Sequence, residues 1–345
     1  MADQAEAKTF DAIVMAGDRG SYKPVYGTHK ALLRVAGEPV LSHVLGALDA
    51  CRYVARIFVV GPKGRISRSL ENSSLAGRIR KELILLEQWD SLLENAWNTF
   101  LATLAGGRGP LTREEEELLR QRHEERAALV LGSDMPLLTP YELEEFVDGC
   151  DLDRYDFFLG TTSEEVLRAY GPQAGAPGVR FAHFCFRESK ERQNNLHLIR
   201  FFRVINRHYA QLMYRYRYQR RWVNVFALFV RLLCLPEVRA RMVARFFLLH
   251  AARVADQRGW RGLLKLARRG LPKSRIEQDI SCLLQTRFAS VPTTYGGAAL
   301  DVDNEEHFEI IRLNFERWRA YQEELHARRT RGTGGGIALA TPVAR

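Results

Sequence analysis

The chain has 345 residues, 46% hydrophobic and 10% aromatic, enough apolar side chain for one large or two average domains and too much for a disordered chain. Its net charge is +10, and its best apolar run, Val223–Leu235, carries Arg231 and falls short of the ~20 residues that a membrane-spanning helix requires. The opening MADQAEAKTF lacks the apolar core of a secretory signal, and five scattered cysteines without a CxxC pair predict reduced thiols and a cytoplasmic protein rather than a disulfide framework or a zinc site.

Strands and helices alternate through the first part. Phe10–Met15 is a short apolar run that ends at Ala16-Gly17, as a buried strand entering a loop does. Val40, Val44, Leu45 and Leu48 give Pro39–Ala50 helical spacing. Arg56–Val60 and Leu83–Leu86 are two further strands. Ser91–Leu104 is amphipathic, and Gly106–Pro110 is a break. Thr112 and Glu115 make a capping box for a charged helix from Arg113 to about Arg126. Ala127–Leu131 is another buried strand, followed by Gly-Ser-Asp-Met-Pro. Thr139 caps the helix Tyr141–Cys150, with Pro140 in its first turn. Asp156–Leu159 is a further strand. This order predicts an α/β fold, a doubly wound and mostly parallel Rossmann-like sheet with ligands at the strand carboxyl ends.

From about Arg187 to Arg287 the pattern changes. Between Arg180 and Arg287 stand 24 Lys and Arg against 6 Asp and Glu. Apolar residues there fall at helical spacing (Val225, Leu228, Phe229, Leu232; Met242, Phe246, Leu249), which predicts a basic helical insert of three or four helices. Such a surplus points to an anionic partner. Ala298–Val302 resumes the strand pattern, and Glu305–Glu324 closes with a helix. The expected organisation is a core over 8–180, the insert over 181–292, a return to the core over 293–326, and a disordered tail over 327–345.

Three segments carry chemistry. The first, Ala16-Gly17-Asp18-Arg19-Gly20, continues through Lys23 to Lys30. A glycine loop at a strand end wraps backbone N–H groups around phosphates, and Arg19, Lys23 and Lys30 supply positive charge. The second places Asp134 at the carboxyl end of a buried strand. In the third, Asp301 and Asp303 alternate and so share one face of an extended chain. Asp303 or Asn304 alternatively caps the last helix. Ser91 caps its helix and is a candidate nucleotide contact.

The run AGDRGSYKPVYGTHKALLRVAGEPVLSHVL resembles the N-terminal signature of MobA-like NTP transferases, nucleotidyltransferases of the glycosyltransferase-A type fold. Gly17, Gly20, Lys30, Gly37 and Pro39 match. Asp18 departs from it, standing where a second glycine is expected, and the turn before Lys30 is longer. The resemblance implies Mg²⁺ held by Asp134 with Asp303 or Asp301. It implies an NTP, CTP or GTP first, on Ala16, Gly17, Arg19, Gly20, Lys23, Lys30 and Ser91. An acceptor phosphate would attack the α-phosphorus and pyrophosphate would leave. Lys30, Arg19 and Asp134 would carry the catalysis. A glycosyltransferase using a nucleotide sugar and a non-catalytic nucleotide-binding protein are the rival readings.

Phe184–Tyr209 is dense in phosphate-binding side chains. Read as helix, it offers Arg187, Arg192, Asn194, Asn195, His197 and Arg200 to a phosphorylated acceptor such as a sugar phosphate, polyol phosphate or phospho-alcohol; a solvated helix face is the plain alternative. The aromatic and arginine-rich stretch beyond is a soluble subdomain or a surface resting on anionic lipid at the inner membrane. Nucleic acid is disfavoured, since no recognised motif accompanies the basic residues.

Overall fold

The computed structural model describes residues 8–19, 24–75, 77–104, 111–173, 175–207, 209 and 240–333. Ten strands run β1 (Phe10–Met15), β2 (Arg34–Val35), β3 (Glu38–Pro39), β4 (Val54–Gly61), β5 (Glu82–Glu87), β6 (Ala128–Gly132), β7 (Phe157–Ser163), β8 (Phe184–Cys185), β9 (Lys190–Ile199) and β10 (Phe288–Thr293). The helices are α1 (Val40–Ala50), α2 (Lys63–Glu71), α3 (Leu92–Leu104), α4 (Arg113–His123), α5 (Pro140–Asp148), α6 (Glu164–Leu167), α7 (Ala240–Gln257), α8 (Arg261–Arg269), α9 (Lys273–Leu284) and α10 (Glu305–Thr333).

The main sheet has the order β10-β7-β9-β6-β1-β4-β5, with β8 paired to β9. It is parallel at β1–β4, β1–β6, β4–β5 and β7–β10. Only β9 runs against its neighbours β6 and β7. The alternation of strands and helices therefore gives the mostly parallel α/β sheet that it predicts. Strand β1 is apolar apart from Asp11, which Arg56 and Arg126 pair, because both faces are covered. On one face it packs Ala12 and Val14 with Leu41, Leu45 and Phe146 of α1 and α5. On the other, Ile13 meets Phe100 and Leu101 of α3 and the pair Phe201–Phe202. The Phe100 and Phe201 rings stack at 4.6 Å, an arrangement that adds to their area burial. A third cluster seats Phe308, Ile311, Phe315 and Trp318 of α10 against Leu137, Tyr170 and Leu300.

Local signals hold where they rest on backbone chemistry. The Thr112–Glu115 capping box is formed in both directions. Thr139 caps α5 with Pro140 in its first turn. Helices α7, α8 and α9 supply the helical part of the basic insert.

Three readings are corrected. Phe184–Tyr209 is not one helix: its first part is the hairpin of β8 and β9, and β9 lies inside the sheet. From Gln193 to Ile199 its burial alternates residue by residue, with Leu196 and Leu198 buried, a period of two hidden among the polar side chains. Ala298–Val302 is not a strand but a 3₁₀ turn over Gly297–Ala299 followed by irregular chain. The returning strand is β10, in which Pro292 is tolerated because β10 is at the sheet edge. The last helix runs past Ala327 to Thr333, held by the Arg328–Glu324 and Arg329–Glu145 ion pairs. Residues 334–345, the break at 106–110 and the Val225–Leu232 spacing lie outside the described residues.

Candidate active site

The end of β1 leads into Ala16 and Gly17. A Cβ at Gly17 would stand 2.8 Å from Asn95 Nδ2 and 3.3 Å from Gln88 Oε1, so a larger residue here would push these two side chains aside. Asn95 is itself fixed, accepting from the Trp89 amide at 2.6 Å. Asp18 turns sideways: Gln88 Nε2 donates to it at 2.6 Å and Arg65 Nη1 at 3.0 Å. That pairing neutralises the carboxylate that departs from the glycine signature. Arg19 lies at the rim, donating to Asp90 at 3.0 Å, with both side chains largely exposed. Ser91 Oγ accepts from the Glu94 amide at 3.2 Å and so caps α3. Gly20 and Lys23 lie outside the described residues.

The longer turn before Lys30 closes on itself. Val25 and Thr28 exchange backbone hydrogen bonds, and Tyr26 docks on α10 through Glu305 and the Phe308 ring. His29 is a buried strut. Its Nδ1 accepts from the Ala31 amide, so Nε2 carries the proton and donates to the Ala16 carbonyl at 2.9 Å. Burial lowers the pKa of its imidazole, which favours this neutral form. His29 thereby ties the glycine loop to Lys30.

Lys30 faces the acids. Its ammonium is 3.9 Å from Asp134 and 3.8 Å from Asp303. Arg192 donates to Asp301 at 2.8 Å and lies 3.9 Å from Asp303. Asp134 keeps 23% of its side chain accessible. Burial pushes its pKa up to about 7; the Asp301 charge adds to this, Lys30 opposes it, and Asp303 adds again. Asp303 is raised by burial and Asp301, against Lys30 and Arg192. The two acid segments are stitched together by Val302, whose amide donates to the Asp134 carbonyl at 2.9 Å. Asn304, not Asp303, caps α10, accepting from the His307 amide at 2.8 Å.

Among the described residues no three His, Cys, Asp or Glu side chains converge as a ready metal-ligand set. The donor chemistry nonetheless fits a hard divalent cation: Asp134 and Asp303 already share one positive charge, that of Lys30, and offer oxygen only.

The predicted acceptor cluster separates. Arg192 reaches the acids. Asn195 is close by, its Cβ 3.8 Å from where a Gly132 side chain would begin, a point that Asp134 Oδ1 approaches within 2.9 Å. The others are placed elsewhere, a correction that follows from β9 being a strand. Asn194 is fully buried and donates to Thr162 and Thr293. His197 packs near Phe157. Arg200 pairs with Asp156, which Arg287 also grips. Arg187 donates to the Arg269 carbonyl.

Residues that sequence reasoning missed support this frame. Glu142 is buried and accepts from Thr293 Oγ1 at 3.0 Å, the Gly296 amide at 3.1 Å and the Ala298 amide at 3.0 Å. It clasps the loop that delivers Asp301. Arg319 of α10 donates to the Pro136 carbonyl at 2.9 Å and the Leu138 carbonyl at 3.2 Å, bracing the turn after Asp134. A glutamate two residues into a helix and an arginine within one carry no distinguishing sequence signal.

A mostly parallel α/β sheet, a glycine loop after its first strand and facing acids from two later segments define an α/β protein with its candidate site at the carboxyl ends of the strands. Residues 12–241 match the model of the MobA-like NTP transferase domain, and the chain belongs to that family. Among solved structures, a hypothetical transferase from Thermus thermophilus shares 22% identity over 87% of this chain and 99% of its own, with a TM-score of 0.51. A 4-diphosphocytidyl-2C-methyl-D-erythritol synthase from Anaerococcus prevotii shares 9% over 90% and 100%, with a TM-score of 0.44. A CMP:2-keto-3-deoxy-manno-octonic acid synthetase complexed with CTP shares 12% over 90% and 99%, with a TM-score of 0.42. No curated protein matches the sequence.

Proposed function

We propose that the chain is a nucleotidyltransferase that joins the NMP of an NTP to a phosphorylated acceptor and releases pyrophosphate. The observation that carries this is the convergence of Lys30, Asp134, Asp303 and Arg192, from four separate segments, at the carboxyl end of β6. The glycine-loop amides and Lys30 hold the β- and γ-phosphates, with Arg19 at the rim. Arg192 and Asn195 orient the acceptor's phosphate. One acceptor oxygen attacks the α-phosphorus, the new P–O bond forms, and the bond to the bridging oxygen breaks with both its electrons going to pyrophosphate. No general base is needed, because a phosphate monoester is already an anion at neutral pH. Asp134 and Asp303 would hold Mg²⁺; Asp303 is favoured over Asp301, which Arg192 occupies. When bound, Mg²⁺ supplies positive charge against the charge that develops on the phosphates.

The test is pyrophosphate release with CTP, GTP, ATP and UTP offered against sugar 1-phosphates, polyol phosphates and phospho-alcohols. Release with one pair, lost in Asp134→Ala, supports the reading. Sugar transfer from a nucleotide sugar without pyrophosphate would instead identify a glycosyltransferase. NTP binding without any turnover would identify a binding protein.

A further inference from the structure

Helix α8 and its N-cap residue Trp260 carry two stripes. Trp260, Leu263 and Leu266, spaced by three, are 48%, 45% and 64% exposed. Arg261, Lys265 and Arg269, spaced by four, follow the adjacent face. Only Ala267 is fully buried, with Leu264 packed against the same cluster as Leu248 and Leu271. The basic side opens into a cleft of about 410 Å³ lined by Arg187, Arg261, Leu264, Lys265, Arg268 and Arg269, with no carboxylate among them. Two of these cations are braced: Arg187 by the Arg269 carbonyl at 3.0 Å, and Arg268 by the Phe186 carbonyl at 2.6 Å. A merely solvated basic helix gains nothing from three large apolar side chains in water, and a soluble phosphate needs only the cations. Apolar residues and arginines on one exposed helix together suit the boundary between acyl chains and acidic headgroups.

We propose that α8 and the Arg187 cleft form a docking surface for an anionic membrane, with Trp260, Leu263 and Leu266 entering the headgroup layer and the cleft taking lipid phosphates. This surface is tied to the active site by β8 and β9, since Arg187 and Arg192 are five residues apart on that hairpin. Attachment does not depend on the proposed reaction.

The experiment uses the full chain with flotation on vesicles of equal parts phosphatidylcholine and phosphatidylglycerol, and on phosphatidylcholine alone, at low and physiological salt. Wild type is expected to float with the acidic vesicles only. Leu263→Ser/Leu266→Ser and Lys265→Glu/Arg269→Glu should each weaken binding at least tenfold, with circular dichroism and solution pyrophosphate release unchanged. Failure of wild type to bind acidic vesicles would overturn the proposal. So would wild-type binding by both variants, RNA binding without vesicle binding, or a dimer that the leucine variant abolishes while vesicles are ignored.

Discussion

At the residue scale, the proposed function rests on a few charges, Lys30, Arg192, Asp134 and Asp303, held against one another. Asp134→Asn should lower pyrophosphate release by about 10²–10³-fold, with the folded state retained because Lys30 keeps Asp303 as its partner. Arg192→Ala should raise the acceptor KM far more than the NTP KM, read from initial rates with each substrate varied in turn; equal changes would remove Arg192 from the acceptor side. Arg200→Ala should instead leave both KM values unchanged and lower the melting temperature, because Arg200 serves Asp156. Glu142 carries a pH prediction. Burial pushes its pKa from 4.5 to about 7, although its three donors oppose the shift. The native state therefore binds more protons than the unfolded state between those values. Its stabilisation is complete at the acid end and falls as pH rises from about 4.5 to 7. Glu142→Gln should flatten that fall by about 3 kcal/mol, seen as a narrowing gap between the two melting curves as pH rises. Parallel curves would show that Glu142 does not titrate there.

At the element scale, β9 is the piece that organises the site. It crosses the sheet between β6 and β7 and delivers Arg192 and Asn195 to the acids on one side of a buried polar relay, Asn194–Thr162–Thr293–Glu142. Gly160 makes room for that relay: a Cβ there would fall 2.0 Å from Asn194 Oδ1. Gly160→Ala should cost about 2–4 kcal/mol of unfolding free energy by denaturant titration, from overpacking and a broken buried hydrogen-bond network. Gly46→Ala, within α1 with nothing within 4 Å of its new Cβ, should stabilise by about 0.5–1 kcal/mol. If both substitutions act alike, the close packing at Gly160 is not what the geometry indicates.

At the scale of the whole molecule, α10 closes the site from outside. It buries Trp318 at 2% exposure and reaches back with Arg319 to the backbone after Asp134. Trp318→Ala should destabilise by about 3–5 kcal/mol. Arg319→Met should lower kcat with little change in the NTP KM, because it loosens the support of Asp134 rather than the phosphate loop. Among the described residues no helix is long and apolar enough to cross a membrane.

The sequence by itself determined the mostly parallel sheet, the glycine loop ending in Lys30, and the acids Asp134, Asp301 and Asp303. Each is written in local pattern: an apolar strand, a turn residue, a carboxylate where a strand stops. It also named Asp18 as a departure without saying what would neutralise it. Tertiary structure decided what depends on long-range pairing. Arg65 and Gln88, 47 and 70 residues away, take up the Asp18 charge. The polar run Arg187–Arg200 resembles a helix face in composition, yet the open place between β6 and β7 draws it into the sheet, where pairing satisfies its backbone. That single change of period, from 3.6 to 2, scatters four of the six expected acceptor ligands to separate tasks and leaves Arg192 and Asn195 beside the acids.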